Sequence, residues 1–251
     1  MTSSQQPPVS LIDIAAGEFS GPVLVVSAHP DDVDFGAGGT VAALTSKGIE
    51  VSYCIVTDGA KGALDPTIAP DDLVKIRQLE QRAAAETLGV SEVFFLGYVD
   101  GCLEPTIELR RDFTRIIRRQ RPQRIICQSP ERNWSRIHAS HPDHLAAGEA
   151  VLRSVYPDAR NPFAYPELLE EGLEPHVVEE VWMMASSQPT GVVDVTETFE
   201  LKLAALRCHE SQLGAASGLS EMIRGWLRDN AVRANLAEGR LAEAFHVVDT
   251  R

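Results

Sequence analysis

From Gly21 onward, short apolar runs rich in β-branched residues alternate with longer stretches whose apolar positions recur at helical spacing. The strand-like runs are PVLVVSA (Pro22–Ala28), IEVSYCIVT (Ile49–Thr57), EVFFLG (Glu92–Gly97) and QRIICQS (Gln123–Ser129). Runs that are apolar throughout are typical of strands covered by helices on both faces. Because such strands alternate with helices, the sequence predicts an α/β fold with a Rossmann-like, doubly wound, mostly parallel sheet.

Three helices are predicted between these strands. The first covers Gly38–Lys47 and the second Asp72–Leu88, and each is followed by a glycine, the residue most often found just beyond a helix. The third covers Thr106–Gln120. In folds of this class, ligands bind beyond the carboxyl ends of the strands, where the strand order reverses. The functional residues are therefore expected in the loops at that edge of the sheet.

The regular alternation weakens after Ser129. A Pro- and Glu-rich stretch, Tyr156–Pro175, predicts a long surface segment of the kind that often covers a substrate. The remaining predicted elements are strands at Val177–Ser186 and Gly191–Val195, helices near Thr196–Gln212 and Leu219–Ala237, and a last edge strand at Ala242–Asp249. No linker or repeat divides the chain. We therefore interpret residues 1–251 as a single domain, with a smaller C-terminal extension of strands and helices and an irregular segment over residues 1–20.

Charge and composition narrow the class of function. With 23 basic and 36 acidic residues, the chain carries a net charge of −13, which repels polyanions, so neither nucleic acid nor an anionic membrane is an expected partner. No segment has the pattern of a signal peptide or the roughly 18 apolar residues of a membrane span, so we expect a cytoplasmic protein. The four cysteines are far apart, with no CxxC motif, and are expected to be reduced thiols.

Four of the seven histidines fall in two segments that a parallel sheet can bring together. His29 directly follows the first strand, in the sequence AHPDD, with Asp31 and Asp32 beside it. The other segment, HASHPDH, follows the fourth strand. Its Pro142 is suited to the first position of a helix, so that His144 would project from the first turn.

If the first and fourth strands are neighbours, His144 faces His29 and Asp32 across the crevice. Two imidazoles and one carboxylate, with positions left open for water, form a hydrolytic zinc site by ligand type and number. A metal at this position would polarise a carbonyl oxygen and lower the pKa of water towards ~7. The residues alone therefore predict a metal hydrolase.

Three separated motifs then match a known family: AHPDD at 28–32, HPDH at 141–144, and KLAALRCHESQ at 202–212. In this order, over about Pro22 to Leu213, they resemble the LmbE-like, PIG-L family of zinc-dependent de-N-acetylases. Its members include the N-acetylglucosaminyl-phosphatidylinositol deacetylase, the mycothiol and bacillithiol pathway deacetylases and mycothiol-conjugate amidase. The resemblance implies hydrolysis of an N-acetyl group on an amino sugar.

The resemblance also implies roles for individual residues. The metal ligands of the family correspond to His29, Asp32 and His144. Asp31 would act as general base on a water activated by the metal, and His141 would stabilise the oxyanion or protonate the leaving amine, with Asp143 orienting it. Zn²⁺ is the implied cofactor, and Fe²⁺ suits the same ligands.

Other positions match the family less specifically. Arg77 and Glu80 match an Arg-x-x-Glu helix that places the arginine near the substrate, although they could also form an ordinary i,i+3 pair on a surface. Asp100 matches an Asp-Gly turn and is a further candidate for substrate binding. Arg136 precedes HPDH and is interpreted as a candidate for binding substrate hydroxyls or a phosphate. Asp34 stands where the family has a glutamate, so its side chain is one methylene shorter.

For several residues the sequence allows both a structural and a functional interpretation. His138 is interpreted as a structural or surface residue, and His209 either as a helix-packing residue or as part of the pocket. Seven arginines between Arg110 and Arg124 favour a solvated helix face or a subunit contact over an anion site. The GAGGT segment lacks the spacing of a dinucleotide fingerprint, because position 41 is Val41, so close packing of its helix is the better explanation.

The sequence therefore predicts a zinc-dependent hydrolase that removes an N-acetyl or other N-acyl group, a linear amide, from a small molecule that contains an amino sugar. One alternative is an amidase acting on a larger acyl group of a thiol-sugar conjugate or natural product, to be distinguished by pocket depth around Tyr156–Pro175. The other is a metal-retaining binding or accessory protein, which the intact Asp31 and His141 disfavour. A homo-oligomer is an expectation from the family alone.

Overall fold

The computed structural model describes residues 9–14, 20–214 and 216–251. Its strands are β1 (Ser10–Leu11), β2 (Val23–Ser27), β3 (Val51–Thr57), β4 (Glu92–Tyr98), β5 (Arg124–Gln128), β6 (Glu180–Met184), β7 (Gly191–Asp194) and β8 (Ala242–Asp249). They form one eight-stranded sheet in the order β1-β7-β8-β6-β5-β2-β3-β4. The core strands β2, β3, β5 and β6 pair in parallel, and β4 extends this part of the sheet. The predicted α/β fold with a mostly parallel sheet is confirmed.

Helices cover both faces of this sheet. They are α1 (Asp32–Gly36), α2 (Gly38–Thr45), α3 (Pro70–Thr87), α4 (Ile107–Gln120), α5 (Pro142–Arg153), α6 (Pro166–Glu170), α7 (Phe199–Arg207), α8 (Glu210–Leu213) and α9 (Leu219–Arg233). In the described part of the chain, none of them is long and apolar enough to cross a membrane.

The apolar core consists of two layers, one on each face of the sheet. Neighbouring residues of β2 show this, because Val25 packs on the side of α2, α7 and α9 whereas Leu24 packs on the side of α4 and α5. All residues of β2, β3 and β5 are buried, which explains why apolar residues predominate in these strands and do not alternate with polar ones. The strand order reverses at the β2–β5 pair, so the loops after these two strands border the same crevice.

One prediction about the ends of the sheet is wrong. The predicted edge strand Ala242–Asp249 lies inside the sheet, where β8 pairs antiparallel with both β6 and β7. Its alternating sequence shows which residues face the core but not how many neighbouring strands the backbone has. The N-terminal segment predicted to be irregular contains β1, which pairs in parallel with β7. Residues 1–8 and 15–19 of that segment lie outside the described residues.

The helix predicted near Thr196–Gln212 is divided. After a 3-10 turn at Thr196–Thr198, α7 ends at Arg207, and α8 begins only at Glu210. His209, between the two helices, has φ −85° and ψ 58°, which is not helical. The break turns its side chain into the protein, where it is fully buried. Periodicity of apolar residues could not show this break, because both halves keep a helical pattern.

The Tyr156–Pro175 segment packs on α4 and does not border the crevice. The Arg118 guanidinium donates hydrogen bonds to the carbonyl oxygens of Asp158 and Asn161 at 3.2 and 2.8 Å. Arg110 forms a two-point ion pair with Asp158 at 2.8 and 2.9 Å. The arginine-rich helix therefore fastens this segment within the chain, and the interpretation of all these arginines as a solvated face is wrong.

A close contact between α5 and β5 positions the second histidine segment. A Cβ on Gly148 would lie 2.3 Å from the carbonyl oxygen of Gln128, so only glycine allows this approach. We expect Gly148→Ala to destabilise the protein by about 1–3 kcal/mol. Gly225→Ala is a matched control in α9, where a Cβ meets nothing within 4 Å, and is expected to stabilise it by up to about 1 kcal/mol. Urea unfolding measures both changes, and equal effects of the two substitutions would contradict this explanation.

Candidate active site

Two loops at the carboxyl edge of the sheet carry the predicted metal ligands. After β2 the chain turns sharply at Asp31, whose φ of 92° is rare for a residue with a side chain, and enters α1 at Asp32. The backbone N–H of His29 donates to Asp32 Oδ2 at 2.7 Å, which closes this turn. After β5, α5 begins at Pro142, so His144 lies in its first turn. The β2–β5 pairing thus brings His29, Asp32 and His144 together, as the sequence predicts.

Possible ligand atoms of these three side chains converge. His29 Nδ1 lies 3.2 Å from Asp32 Oδ2 and 3.3 Å from His144 Nε2. His144 Nε2 lies 3.1 Å from Asp32 Oδ1. Ligands bound to Zn²⁺ at roughly 2.0–2.2 Å in a tetrahedron are about 3.3–3.6 Å apart, close to the distances observed. The spacing of these three residues therefore fits a divalent metal ion.

A second set of possible ligands is less suitable. The imidazoles of His29, His141 and His144 offer atoms within 4.8 Å of one another. However, His141 Nδ1 accepts a hydrogen bond from the backbone N–H of Asp143 at 3.2 Å. The atoms of His29, Asp32 and His144 are closer to one another and include an anionic ligand, so we favour this set.

Two carboxylates hold the other ring nitrogen of His29. Its Nε2 lies 3.1 Å from Asp100 Oδ1 and 3.1 Å from Asp143 Oδ2. Backbone N–H groups fix both acids, since Gly101 donates to Asp143 at 2.6 Å and Lys61 donates to Asp100 at 2.9 Å. Carboxylates in this position keep a proton on Nε2 and leave Nδ1 free to bind a metal.

This arrangement corrects the role expected for Asp143. The sequence predicts that it orients His141, but its carboxylate contacts His29, and only its backbone N–H bonds to His141. The reason is local, because α5 begins at Pro142 and its first turn directs the Asp143 side chain inward, where it is fully buried. Asp100, predicted to bind substrate, also contacts His29 and lines the cavity in front of it.

Asp31 lies beside the three ligands but does not join them. Its backbone N–H donates to Gln81 Oε1 at 2.8 Å, and its carboxylate lies 3.4 Å from the Arg77 guanidinium. Burial, followed by the neighbouring Asp32 carboxylate, raises the pKa of Asp31 to about 7. A carboxylate whose pKa lies near neutrality is well suited to accept a proton at that pH.

His141 borders the same space from α5. Its ring centroid lies 4.9 Å from that of His29 and 5.4 Å from that of His144. Burial and the two neighbouring imidazoles lower the pKa of His141, so its ring is neutral at neutral pH. Because Nδ1 accepts the Asp143 N–H, the ring proton is assigned to Nε2. His141 can therefore offer an N–H donor.

A buried network beneath Asp31 was not predicted. His209 Nε2 lies 2.7 Å from Asp34 Oδ2, and Gln81 Nε2 donates to the same oxygen at 3.0 Å. Gln81 thus joins this pair to the backbone of Asp31. Although Asp34 is one methylene shorter than the glutamate of the family, its carboxylate contacts His209 of the third motif. His209 therefore supports the site from inside, and does not line its surface.

Both histidine segments lie in a region that is similar to a known protein family. Residues 24–155, which include both histidine segments, match the PIG-L family, described as GlcNAc-PI de-N-acetylase. The chain belongs to the PIG-L family. It is 35% identical over 227 residues to diacetylchitobiose deacetylase of Thermococcus kodakarensis, covering 90% of this chain and 82% of the relative.

Two further similarities extend over most of this PIG-L chain. It is 34% identical over 200 residues to a probable N-acetyl-alpha-D-glucosaminyl L-malate deacetylase 2 of Bacillus cereus, covering 77% of this chain and 84% of the relative. The solved N,N'-diacetylchitobiose deacetylase of Pyrococcus horikoshii superposes with a TM-score of 0.84 at 30% identity, covering 91% of this chain and 84% of that one. Family membership and fold thus agree with each other.

Arg77 and Glu80, which match the family less specifically, have different partners in the structure. Arg77 is 3% exposed and donates to the carbonyl oxygens of Gly59 and Pro30 at 2.9 and 2.7 Å, so it holds the Asp31 loop and is not a surface residue. Glu80 accepts hydrogen bonds from Ser211, which attaches α8, and the alternative of an Arg77–Glu80 surface pair is wrong.

Arg136 and His138 lie in the segment that precedes α5. Arg136 lies beyond the metal ligands, with its guanidinium 5.3 Å from the Trp226 ring. His138 is exposed in the 3-10 turn at Ile137–Ser140, in agreement with a surface role.

A second unpredicted feature of the PIG-L chain is a buried ion pair. Lys202 Nζ lies 2.6 Å from Glu243 Oε1 and donates to the carbonyl oxygens of Asp34 and Phe35, both at 2.7 Å. The Glu243 carboxylate also accepts the N–H of Gly39 at the start of α2. The pair therefore ties α7 and β8 to the end of the helix that carries Asp32. No spacing in the sequence identifies these partners, which are 41 residues apart.

Proton competition at His29 gives a test of the metal site. Burial would lower the pKa of His29, but Asp100 and Asp32 outweigh it and raise the pKa to about 11. A metal must therefore displace a proton at neutral pH, and we expect affinity for Zn²⁺ to rise by up to about tenfold per pH unit. Calorimetric titration with Zn²⁺ in buffers of different ionisation enthalpy measures the proton release. Binding heats that do not depend on the buffer would contradict this assignment.

Proposed function

We propose that this PIG-L family protein is a metal-dependent hydrolase that removes an N-acetyl group from a small molecule containing an amino sugar. The observation that carries the proposal is the convergence of His29 Nδ1, Asp32 and His144 Nε2 at 3.1–3.3 Å, with Asp31 and His141 beside them. The deacetylase relatives support the substrate class, since their names specify N-acetylated amino sugars.

His29, Asp32 and His144 would hold the metal, and Zn²⁺ or Fe²⁺ both suit this ligand set. A bound ion would act as a Lewis acid towards the amide carbonyl and would lower the pKa of a water molecule. Asp100 and Asp143 keep the proton of His29 on Nε2, so that Nδ1 remains available.

Asp31 would take a proton from the attacking water. Gln81 holds its backbone and Arg77 borders its carboxylate, so the side chain stays beside the ligands instead of among them. As the water oxygen bonds to the amide carbon, negative charge develops on the carbonyl oxygen. His141, neutral and with its proton on Nε2, would donate a hydrogen bond to that oxygen.

The cleaved C–N bond leaves acetate and an amine, which takes up the proton held by Asp31. This arrangement favours oxyanion stabilisation over amine protonation for His141. It also argues against a purely binding role, because Asp31 is positioned at a strained backbone and makes no contact that metal binding requires.

Acetate release from N,N'-diacetylchitobiose and N-acetylglucosamine by the metal-loaded protein tests the proposal. We expect stoichiometric formation of acetate and a free amine, and loss of both after chelation. Zinc supplied after the chelator is removed should restore them. Binding of these sugars without acetate release, under conditions where one equivalent of metal is bound, would support the accessory-protein alternative.

The proposal also places the protein in the cytoplasm. All four cysteines are free thiols, as a reducing compartment allows. Two of them, Cys54 and Cys127, are buried in the core, where burial raises the pKa of each thiol and keeps it unreactive.

A further inference from the structure

Two cavities border the metal ligands on different sides. The first, of about 280 Å³, is lined by the polar groups that act in the proposed reaction, together with Lys61, Arg77 and Gln212. We call it the catalytic cavity. The second, of about 250 Å³, is lined by Asp32 and His144 and extends over the ends of β5, β6 and β8. We call it the distal cavity, and the proposed removal of an acetyl group gives it no role.

The positions of the acid–base groups decide which part of a substrate each cavity can hold. Asp31 and His141 both line the catalytic cavity. The leaving nitrogen must take up its proton there, so the amino sugar attached to that nitrogen occupies the same side. Lys61, Asp100 and Gln212 offer hydrogen-bond partners for its hydroxyl groups. The acyl substituent of the carbonyl carbon would then point away from the leaving nitrogen, and the distal cavity, which borders Asp32 and His144, offers space for it.

The distal cavity is larger than an acetyl group needs. A water molecule takes up about 30 Å³ in the liquid, and a methyl group is of similar size, so most of the 250 Å³ would stay unfilled by acetyl. Part of its wall is apolar, formed by Phe35, Met184, Ile223 and Leu227. This wall suits the methylene groups of a chain, because their burial is favourable.

The lining of the distal cavity also carries positive charge. Arg136 and Arg233 line it, and neither forms an ion pair within residues 9–14, 20–214 and 216–251. Lys202 also faces the cavity but is paired with Glu243, and Asp32 would be neutralised by a bound metal. Positive charge therefore dominates here, in a chain whose net charge is −13. Arginine binds a carboxylate through two parallel hydrogen bonds.

We propose that the distal cavity is an acyl subsite, and that the protein hydrolyses amino sugars whose N-acyl group is longer than acetyl and ends in a carboxylate. This inference rests on the proposed function and extends its substrate class. The reaction is unchanged: water supplies the oxygen of the new carboxylic acid, the amide C–N bond breaks, and the amine takes the proton. The methylene groups would lie along the Phe35–Leu227 wall and the carboxylate at Arg136 and Arg233.

A series of three glucosamine derivatives tests the proposal with the metal-loaded protein. N-butanoyl and N-succinyl glucosamine have acyl chains of the same length, and only the second ends in a carboxylate; N-acetyl glucosamine is the reference. We expect kcat/KM to be at least tenfold higher for N-succinyl than for N-acetyl, with N-butanoyl between them. If the protein hydrolysed N-acetyl glucosamine faster than N-succinyl glucosamine, the inference about the acyl subsite would be overturned and the proposed function would stand. No hydrolysis of any of the three would overturn the proposed function as well.

Two tryptophans provide a matched pair of variants. Trp226 and Trp134 are both exposed and both lie under an arginine, with guanidinium carbons 5.3 and 5.6 Å from their rings, but only Trp226 lines the distal cavity. We expect Trp226→Ala to lower the succinyl-to-acetyl ratio of kcat/KM about tenfold and Trp134→Ala to leave the ratio unchanged. The same ratio in both variants would overturn the inference.

Two arginines of α9 test the carboxylate end. Arg233 lines the cavity, whereas Arg228 on the same helix does not. Arg233→Gln is expected to lower the succinyl-to-butanoyl ratio about fivefold, and Arg228→Gln to have no effect on it. A ratio that stays the same in Arg233→Gln, or a wild-type preference for butanoyl, would overturn the carboxylate part of the proposal.

Discussion

Replacing His144 by alanine is expected to remove the bound metal and, with it, the hydrolytic activity. Purified without chelators, the parent protein should hold about one equivalent of zinc or iron, and the variant less than ~0.1. Loss of an outer partner of a metal ligand costs about 10–100-fold in affinity, so loss of the ligand itself should exceed that range. We expect kcat/KM to fall about 10³-fold or more, because the variant loses the imidazole nitrogen that lies 3.1 Å from Asp32 Oδ1 in the proposed ligand set.

His138→Ala is the matched control, since His138 lies six residues earlier in the same segment but is exposed. Elemental analysis of both variants, with a thermal unfolding curve for each, separates metal loss from misfolding. A folded His144→Ala protein that still holds one equivalent would remove His144 from the ligand set. Absence of metal from the parent protein, even after zinc is added back, would exclude the proposed mechanism.

Asp31→Asn is expected to stop turnover and to leave the metal in place. The substitution keeps the size of the side chain and removes its capacity to accept a proton, and loss of a general base typically costs about 10²–10⁴-fold in rate. The Gln81 bond to the Asp31 backbone does not depend on the side chain, so the loop should keep its conformation. Measuring kcat and metal content on the same preparation checks both parts.

Asp71→Asn gives the corresponding control, because Asp71 is an exposed acid in the first turn of α3 and lies outside the site. Its kcat should equal that of the parent protein. If Asp31→Asn retained full activity, another group would have to be the base. If it lost its metal, Asp31 would belong to the ligand set, in disagreement with its position beside Arg77.

The proximity of His29, Asp32 and His144 could be predicted from the sequence because the position of each residue depends on local order. His29 and Asp32 flank one turn after a recognisable strand, and His144 follows a proline that starts a helix. Parallel pairing of β2 and β5 then brings the two loops to one edge. For the same reason the α/β fold was predictable from the alternation of apolar runs and helices.

Contacts between distant parts of the chain could not be predicted in this way. The partner of Asp34 is His209, 175 residues later, and neither residue type specifies the other. Asp143 contacts His29 and not its neighbour His141, because the direction of a side chain at a helix start depends on the surrounding fold. The apolar wall of the distal cavity likewise combines residues of α1, β6 and α9 that share no motif.

The central position of β8 also bears on how the protein is made. Ribosomes synthesise the chain in order, so β6 and β7 emerge before the strand that lies between them. Until β8 inserts, the backbone edges that it will occupy are open to other strands, a known route to aggregation. Glu243, carried by β8, arrives at the same late step and completes the support for the helix of Asp32. The last central strand of the sheet and this support for α1 would therefore be added at the same late stage of synthesis.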